Sequence, residues 1–445
     1  MIARIQVAAA ALALVLLFFV IPHKISGDGM VRYESLNTLL TRRTISEQRY
    51  SYIGPLAASP IWLQKIRTDR LWWAERFNTI LLALGVAAAW RLLGGVVSAR
   101  ARAAFILLLA AAGMMPNHVR NFYGEVFTAV CVATGLMAVL AANLRAGWIL
   151  VVLGSANTPA SLGGLAMVAA WRWWRGRTVD GLVAAIAAAA LVLLENDIVR
   201  GGFLETSYAG DRGIRTVMPF SGRAGFSYPL ALGALSLILS FGKGLAFFAP
   251  GLAFIARARR AAEDRIAALL DAWMLFLAGL VLVYARWWAW YGGWYWGPRF
   301  LLFAVYPSAL ALAVLLSSPH SARRRLVVAL AVVWTFWVGV SGAVFDTDGL
   351  GACMDNGYAL EHLCWYVPEF SPLFRHLVVR PPDLAAWQIV WIAFAAIAAT
   401  LTVAWPGVRT PNPEPPTSRP PSPISRPPSP TSRPPSPISG SRSHY

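Results

Sequence analysis

Charge is scarce in this chain. Only 13% of its 445 residues are Asp, Glu, Lys or Arg, against about 25% in a typical soluble domain. That deficit excludes one large soluble domain. With 57% apolar residues, it also excludes a chain disordered along most of its length. Three cysteines are too few for a disulfide framework. There is no Walker-type phosphate loop, no serine elbow and no dinucleotide glycine fingerprint. Acids are scarcer than bases, 21 against 39, which gives a formal charge of +18. In a chain this apolar, such an excess reflects orientation signals and anionic lipid. Membrane lipid is therefore an expected partner and nucleic acid is not.

What remains is a polytopic membrane protein. Apolar runs lie near 5–22, 77–97, 102–115, 125–143, 147–171, 179–195, 227–256, 266–285, 299–317, 325–344 and 386–405. A membrane-crossing helix needs about 20 residues, so the shorter runs predict tilted, partial or re-entrant helices. The run 147–171 carries Gly154, Asn157, Thr158 and Pro159 at its centre and reads as two short helices folded back on each other. The predicted fold is all-α, a polytopic transmembrane helical bundle of about 12 helices. The first run ends at Pro22-His23-Lys24, not at a small-residue cleavage site, so it predicts an uncleaved helix.

Arginines cluster at Arg4, Arg91/Arg100/Arg102, Arg145, Arg172/Arg175/Arg177, Arg257/Arg259/Arg260/Arg265 and Arg323/Arg324/Arg325. With one crossing per run and a hairpin at 147–171, these clusters share one side, which predicts that side as cytoplasmic. The long loops 23–76, 196–226, 286–298 and 345–385 then face outward. The composition is of a bacterial type, so the expected location is the bacterial inner membrane. Residues 406–445 form a second region, in which Ser-Arg-Pro-Pro-Ser-Pro recurs with a period of seven at 418–423, 425–430 and 432–437. Pro denies it helix and sheet, so it reads as a disordered cytoplasmic tail. The membrane domain is 1–405.

Chemistry is sought on the outer loops. Asp28, between Gly27 and Gly29, lies just past the first membrane helix. There a carboxylate can meet a substrate with a polar head and a lipid tail; equally, it can close an Asx-turn at the helix exit. Lys65, Arg67 and Arg70 stand among tryptophans and tyrosines in a pattern suited to interfacial helices. They can hold a lipid phosphate or ordinary headgroups. Trp287 to Arg299 is dense in Trp, Tyr and Gly. Gly297-Pro298-Arg299 opens a helix whose electropositive end, with Arg299, makes an anion site; an aromatic belt with a snorkelling arginine is the alternative. Lys243 interrupts the run 227–256 between Gly242 and Gly244, where a charge is either functional or reaching for headgroups. Glu125 opens a helix, where it can simply complement the dipole. Cys353 and Cys364 share one outer loop and can pair. With His362, His376 and Asp355 nearby, a metal site is conceivable, though the spacing is not a zinc signature.

These features resemble the GT-C superfamily of membrane glycosyltransferases. The likeness is to its lipid-carrier branch, which includes protein mannosyltransferases and aminoarabinose transferases. The motifs are the first-loop Asp28, Phe241-Gly242-Lys243-Gly244-Leu245 with Pro250, Tyr291-Gly292-Gly293-Trp294 through Gly297-Pro298-Arg299, and Phe370-Ser371-Pro372-Leu373. Asn121-Phe122-Tyr123-Gly124-Glu125 matches more loosely. The resemblance implies a GT-C type fold. It also implies an inverting transferase that moves a sugar from a polyprenyl-phosphate donor to a glycan, lipid or protein acceptor on the outer membrane face. Asp28 would be the catalytic base. Lys243, Arg299, Lys65, Arg67 and Arg70 would hold the donor phosphate. Glu34, Glu125, Tyr291, Trp294 and Trp296 would contact sugar or acceptor. No cofactor is implied; a divalent metal is left open. Many relatives carry a second acid beside the first-loop Asp, whereas here Gly29 follows Asp28 and Glu34 is the nearest acid. Better-known relatives also often carry a large outer C-terminal domain, which has no counterpart here. Two other readings are a lipid-linked polysaccharide ligase or polymerase and a non-enzymatic flippase. The first usually has its long outer loop late in the chain, and the second often shows matched halves with paired broken helices.

Overall fold

The computed structural model describes residues 1–62, 69–206, 208, 212–318, 321–347, 350–379 and 383–403. Residues 1–405 form one compact unit. The tail at 406–445 lies outside the described residues, as do Lys65 and Arg67. Among the described residues there are helices, turns and one isolated bridge, and no strand. The chain is an all-helical, multi-pass membrane protein.

Among the described residues, six helices are long and apolar enough to cross a membrane: Ile2–Phe19, Asp180–Arg200, Asp264–Tyr284, Arg299–Leu316, Ala322–Phe345 and Ala386–Val403. Others are shorter, among them Ala99–Ala111 and Gly124–Leu140. The run 147–171 is two helices, Gly147–Asn157 and Leu162–Gly176, joined through a short turn at Pro159–Ser161. The long run 227–256 breaks further than expected. The helix Leu230–Leu239 ends before Gly242–Gly244, and the remainder is in three pieces, Leu245–Phe248, Pro250–Phe254 and Ile255–Ala261. Pro250 explains the second break, because it has no N–H to continue the preceding turn.

Val305–Leu316 is the central helix, buried along nearly its whole length. Tyr306 on it packs edge-on against Trp273, which stacks in turn on Phe105, all three rings being fully buried. Peripheral helices instead turn Leu12, Val15, Val183 and Ile186 outward, the arrangement expected where lipid replaces water.

The two ends of the bundle differ in chemistry. One end carries the arginine clusters, with Arg172 on Asp180 at 2.7 Å and Arg259 on Asp271 at 2.7 Å. The other gathers the long loops. The 23–76 loop holds the helix Asp28–Arg42 and short turns at Ile53–Ala57 and Ser59–Trp62. The 345–385 loop holds Gly351–Tyr358 and Glu361–Tyr366, joined by a Cys353–Cys364 disulfide. Closing a loop this short is worth about 2–3 kcal/mol. Reduction is therefore expected to lower the melting temperature of the purified protein. Identical melting with and without dithiothreitol would exclude the bond.

Candidate active site

The site forms where four distant segments meet at the loop-rich end. The first is the start of the Asp28–Arg42 helix. Gly27, at φ +53°, turns the chain into it. The turn is closed by backbone: Gly29 N–H donates to the Ser26 carbonyl at 3.1 Å and Met30 N–H to that of Gly27 at 3.0 Å. The Asp28 carboxylate is spent elsewhere. Its Oδ2 accepts from Arg299 Nη1 at 2.6 Å. Asp28 is not fully sealed: its side chain keeps 17% of its surface, against 8% for Arg299.

Asn121–Glu125 is the second segment, and the packing explains each of its polar residues. Asn121 Nδ2 donates to Ser26 Oγ at 3.2 Å, clamping the exit of the first membrane helix. Tyr123 faces the Arg299 guanidinium at 5.7 Å. A Cβ on Gly124 would come within 2.6 Å of the Arg32 guanidinium. Glu125 Oε1 lies 3.7 Å from Arg299 Nη1. Arg299 is therefore shared between two carboxylates. The second carboxylate at Arg299, Glu125, comes from another helix. Position 29 has no room for one, since a Cβ there would meet Asn121 Oδ1 at 2.2 Å.

The third segment is the aromatic turn that leads to Arg299. Arg299 itself opens a 3-10 turn, Arg299–Ala304, ahead of Val305–Leu316. The Tyr295 ring covers its guanidinium at 4.4 Å, and the Tyr295 hydroxyl lies over the backbone at Gly27 and Asp28. The fourth segment is Tyr50–Tyr52. The Tyr50 hydroxyl donates to Asp28, and Arg32 stacks on the Tyr50 ring at 4.7 Å. Arg32 Nη1 donates to the Ser51 carbonyl at 3.2 Å, while its buried Nε has no hydrogen-bond partner.

Burial alone would raise the pKa of Asp28. The charge of Arg299, the hydrogen bonds from Tyr50 and Arg299, and the charge of Arg32 outweigh it and hold the carboxyl below its ordinary range. Burial, then the Asp28 charge and hydrogen bond, hold the Tyr50 phenol far above its own range, so it stays a donor.

Other expected site residues lie elsewhere. Glu34 points outward and is exposed. It stands six residues beyond Asp28, on a different face of the same helix. Arg70 is exposed at the start of Arg70–Leu92. Lys243 is fully buried, and its ammonium donates to the carbonyls of Gly293, Tyr295 and Gly297 at 3.1, 2.5 and 2.9 Å. With three donors so engaged, it has none left for a phosphate in this conformation. Tyr291 stacks on Trp365, and Trp296 is buried against Phe248 and His118. Trp294 is half-buried, stacked on Tyr358 at 4.4 Å and donating to Glu361 at 3.0 Å. Cys353 and Cys364 are bonded to each other, which removes the thiolates a metal would need. Among the described residues, no three His, Cys, Asp or Glu come together as a metal site.

Three residues of the cluster escaped the sequence reading: Arg32, Tyr50 and Tyr295. Arg32 had a legible signal, because it follows Asp28 by four residues and so shares its helical face. Tyr50 and Tyr295 had none, since only tertiary packing brings them to Asp28.

The fold and site together describe a multi-pass membrane protein with a carboxylate–guanidinium cluster among its long loops. No protein-family model matches the chain, and no curated protein matches it. Among solved structures, it is similar to ArnT from Cupriavidus metallidurans bound to undecaprenyl phosphate. The TM-score is 0.49 at 15% identity, over 89% of this chain and 76% of that one. The same protein in the apo state gives a TM-score of 0.48 at 16% identity, over 89% and 77%.

Proposed function

We propose that the chain is an inverting glycosyltransferase that moves a sugar from a polyprenyl-phosphate carrier to an acceptor at the outer face of the bacterial inner membrane. One observation carries this reading. Asp28, nine residues past the end of the Ile2–Phe19 helix, keeps a partly open carboxylate beside Arg299, Glu125 and Arg32. In the proposed reaction, Asp28 takes the proton of an acceptor hydroxyl as that oxygen bonds to the anomeric carbon. The carbon–oxygen bond to the carrier breaks on the opposite face, and its electron pair leaves with the phosphate. This geometry inverts the anomeric centre. The leaving phosphate is a stable anion and needs cations more than an acid. Arg32, with an unpartnered Nε, is the first candidate ligand. Arg299 is the second, by exchanging Glu125 for a phosphate oxygen. The lipid tail confines the donor to a plane, so the chamber need only position its head.

The outer-face assignment draws on two observations. The cluster shares its end of the bundle with the disulfide-bearing loop, through the Trp294–Glu361 hydrogen bond, and disulfides persist in oxidising compartments. The arginine clusters occupy the other end, as cytoplasmic loops do. The C-terminal tail would then be cytoplasmic.

The deciding measurement uses purified protein in vesicles with a labelled polyprenyl-phosphate sugar. The expected result is release of free polyprenyl phosphate together with an inverted glycoside. Movement of intact donor across the bilayer, without cleavage, would refute the proposal in favour of a flippase.

A further inference from the structure

One fully buried basic residue near the site does not touch the Asp28 carboxylate. Lys243 is inaccessible to solvent, and its hydrogen-bond partners are three backbone carbonyls at alternating positions, Gly293, Tyr295 and Gly297. To point three alternate carbonyls at one atom, the chain must curl around it. Gly292, Gly293 and Gly297 adopt positive φ there, at +73°, +79° and +66°, a conformation costly for other residues. The aromatic turn is thus wound around an ammonium. The Trp365 ring closes the far side, 4.7 Å from Nζ.

The flanking glycines seat the lysine. Gly242 packs against the Cys364 carbonyl, which a Cβ would approach to 2.1 Å, and Gly244 packs against Ser240 in the same way at 2.4 Å. The Gly242 N–H donates to the Trp365 carbonyl at 3.1 Å, and Ser371 Oγ to the Phe241 carbonyl at 2.7 Å. Phe241–Gly244 is therefore wedged between the 364–371 segment and the aromatic turn. Its side chain reaches the turn at two points that matter for Asp28. The Gly297 carbonyl, held by Lys243, also accepts the N–H of Arg299 at 3.1 Å. The Tyr295 carbonyl, likewise held, belongs to the residue whose ring covers the Arg299 guanidinium.

We infer that Lys243 is a positioning residue for the Asp28–Arg299 pair: by gathering the carbonyls of Gly293, Tyr295 and Gly297 it sets where Arg299 leaves the turn. As a statement about catalysis it rests on the transferase reading above. As a statement about geometry it does not. Lys243 acts through backbone and leaves the donor phosphate to Arg32 and Arg299.

The test is Lys243→Met, which keeps length and removes all three donors, studied by initial rates and by electron cryomicroscopy of the full chain in nanodiscs. A misplacement of about 1 Å at a reacting group costs about 10²-fold in rate. The expected result is a kcat lower by about that factor with the apparent KM for a polyprenyl-phosphate sugar unchanged. The acid limb of the pH profile should also move to higher pH, because Asp28 loses the guanidinium that holds its carboxyl down. In the map, Arg299 should stand beyond 4 Å from Asp28, outside ion-pair range. An intact pair in the map overturns the proposal, as does a raised donor KM with unchanged kcat, the mark of a direct phosphate ligand. If Lys243→Met does not accumulate, Lys243→Arg retains donors in a larger, planar group and decides by the same split: kcat alone lowered supports positioning, KM alone raised overturns it. Should the wild type show no transferase activity, the transferase reading fails, and the map still decides whether Lys243 sets the pair.

Discussion

Asp28→Asn is expected to lower sugar transfer by about 10²–10⁴-fold, the usual contribution of a general base, while the protein still inserts and folds. The amide keeps the shape of the carboxyl, and its oxygen can still accept from Arg299. The guanidinium also retains Glu125, whose carboxylate lies 3.7 Å away, so the substitution leaves no bare buried cation. What disappears is the capacity to take a proton at this position. The measurement is the initial rate of release of polyprenyl phosphate from a labelled donor, with melting temperature as the check on folding. Glu125→Gln is the informative partner. Glu125 makes the longer contact to the same Arg299 nitrogen, 3.7 Å against 2.6 Å for Asp28, and its loss should be the smaller of the two. Full activity in Asp28→Asn would remove Asp28 as the base. A larger loss in Glu125→Gln would transfer the role to Glu125.

The helical bundle was legible because membrane insertion leaves few alternatives: long apolar runs must become helices when no water can satisfy their backbone. The hairpin at 147–171 was legible from Asn157, Thr158 and Pro159 in mid-run. In the run 227–256 the interruption at Gly242–Gly244 was read and the further break at Pro250 was not, since composition marks where a helix can break but not how many turns survive between breaks. At the site, sequence pointed to Asp28 and Arg299 separately, each from its own helix end. It did not pair them, because 271 residues separate them and no local period links them. Arg299 was expected to bind an external anion; the anions beside it here are the chain's own carboxylates. Lys243 was expected to meet phosphate through the family resemblance, while as a charge in an apolar run it read as either functional or reaching for headgroups. A buried ring of backbone carbonyls serves an ammonium equally well, and no residue type announces a carbonyl. Tyr291 and Trp296 show the same limit: an aromatic run tells that rings are needed, not which of them face a chamber and which fill the core.

Arg299→Ala is expected to cost stability as well as activity. Removing one partner of a buried ion pair leaves the other charge uncompensated, a loss of about 3–5 kcal/mol. Here two carboxylates, Asp28 and Glu125, lose the same guanidinium. Asp28 also loses the charge that holds its carboxyl down, so it takes up a proton at higher pH, and that proton blocks the base. Arg299→Lys should recover only part of the loss, because a compact ammonium lacks the planar face that the Tyr295 and Tyr123 rings cover. The pH dependence fixes the cause. In the wild type the Asp28 carboxyl is held below its ordinary range by Arg299 and Tyr50, so the stabilisation it brings is full above the unfolded value of about 3.9. It is lost as pH falls through the lower, folded value. The gap in melting temperature between wild type and Arg299→Ala should therefore be widest near neutrality and close only in strong acid. Equal melting at pH 7, or a gap that widens on acidification, would show that the pair does not carry the site.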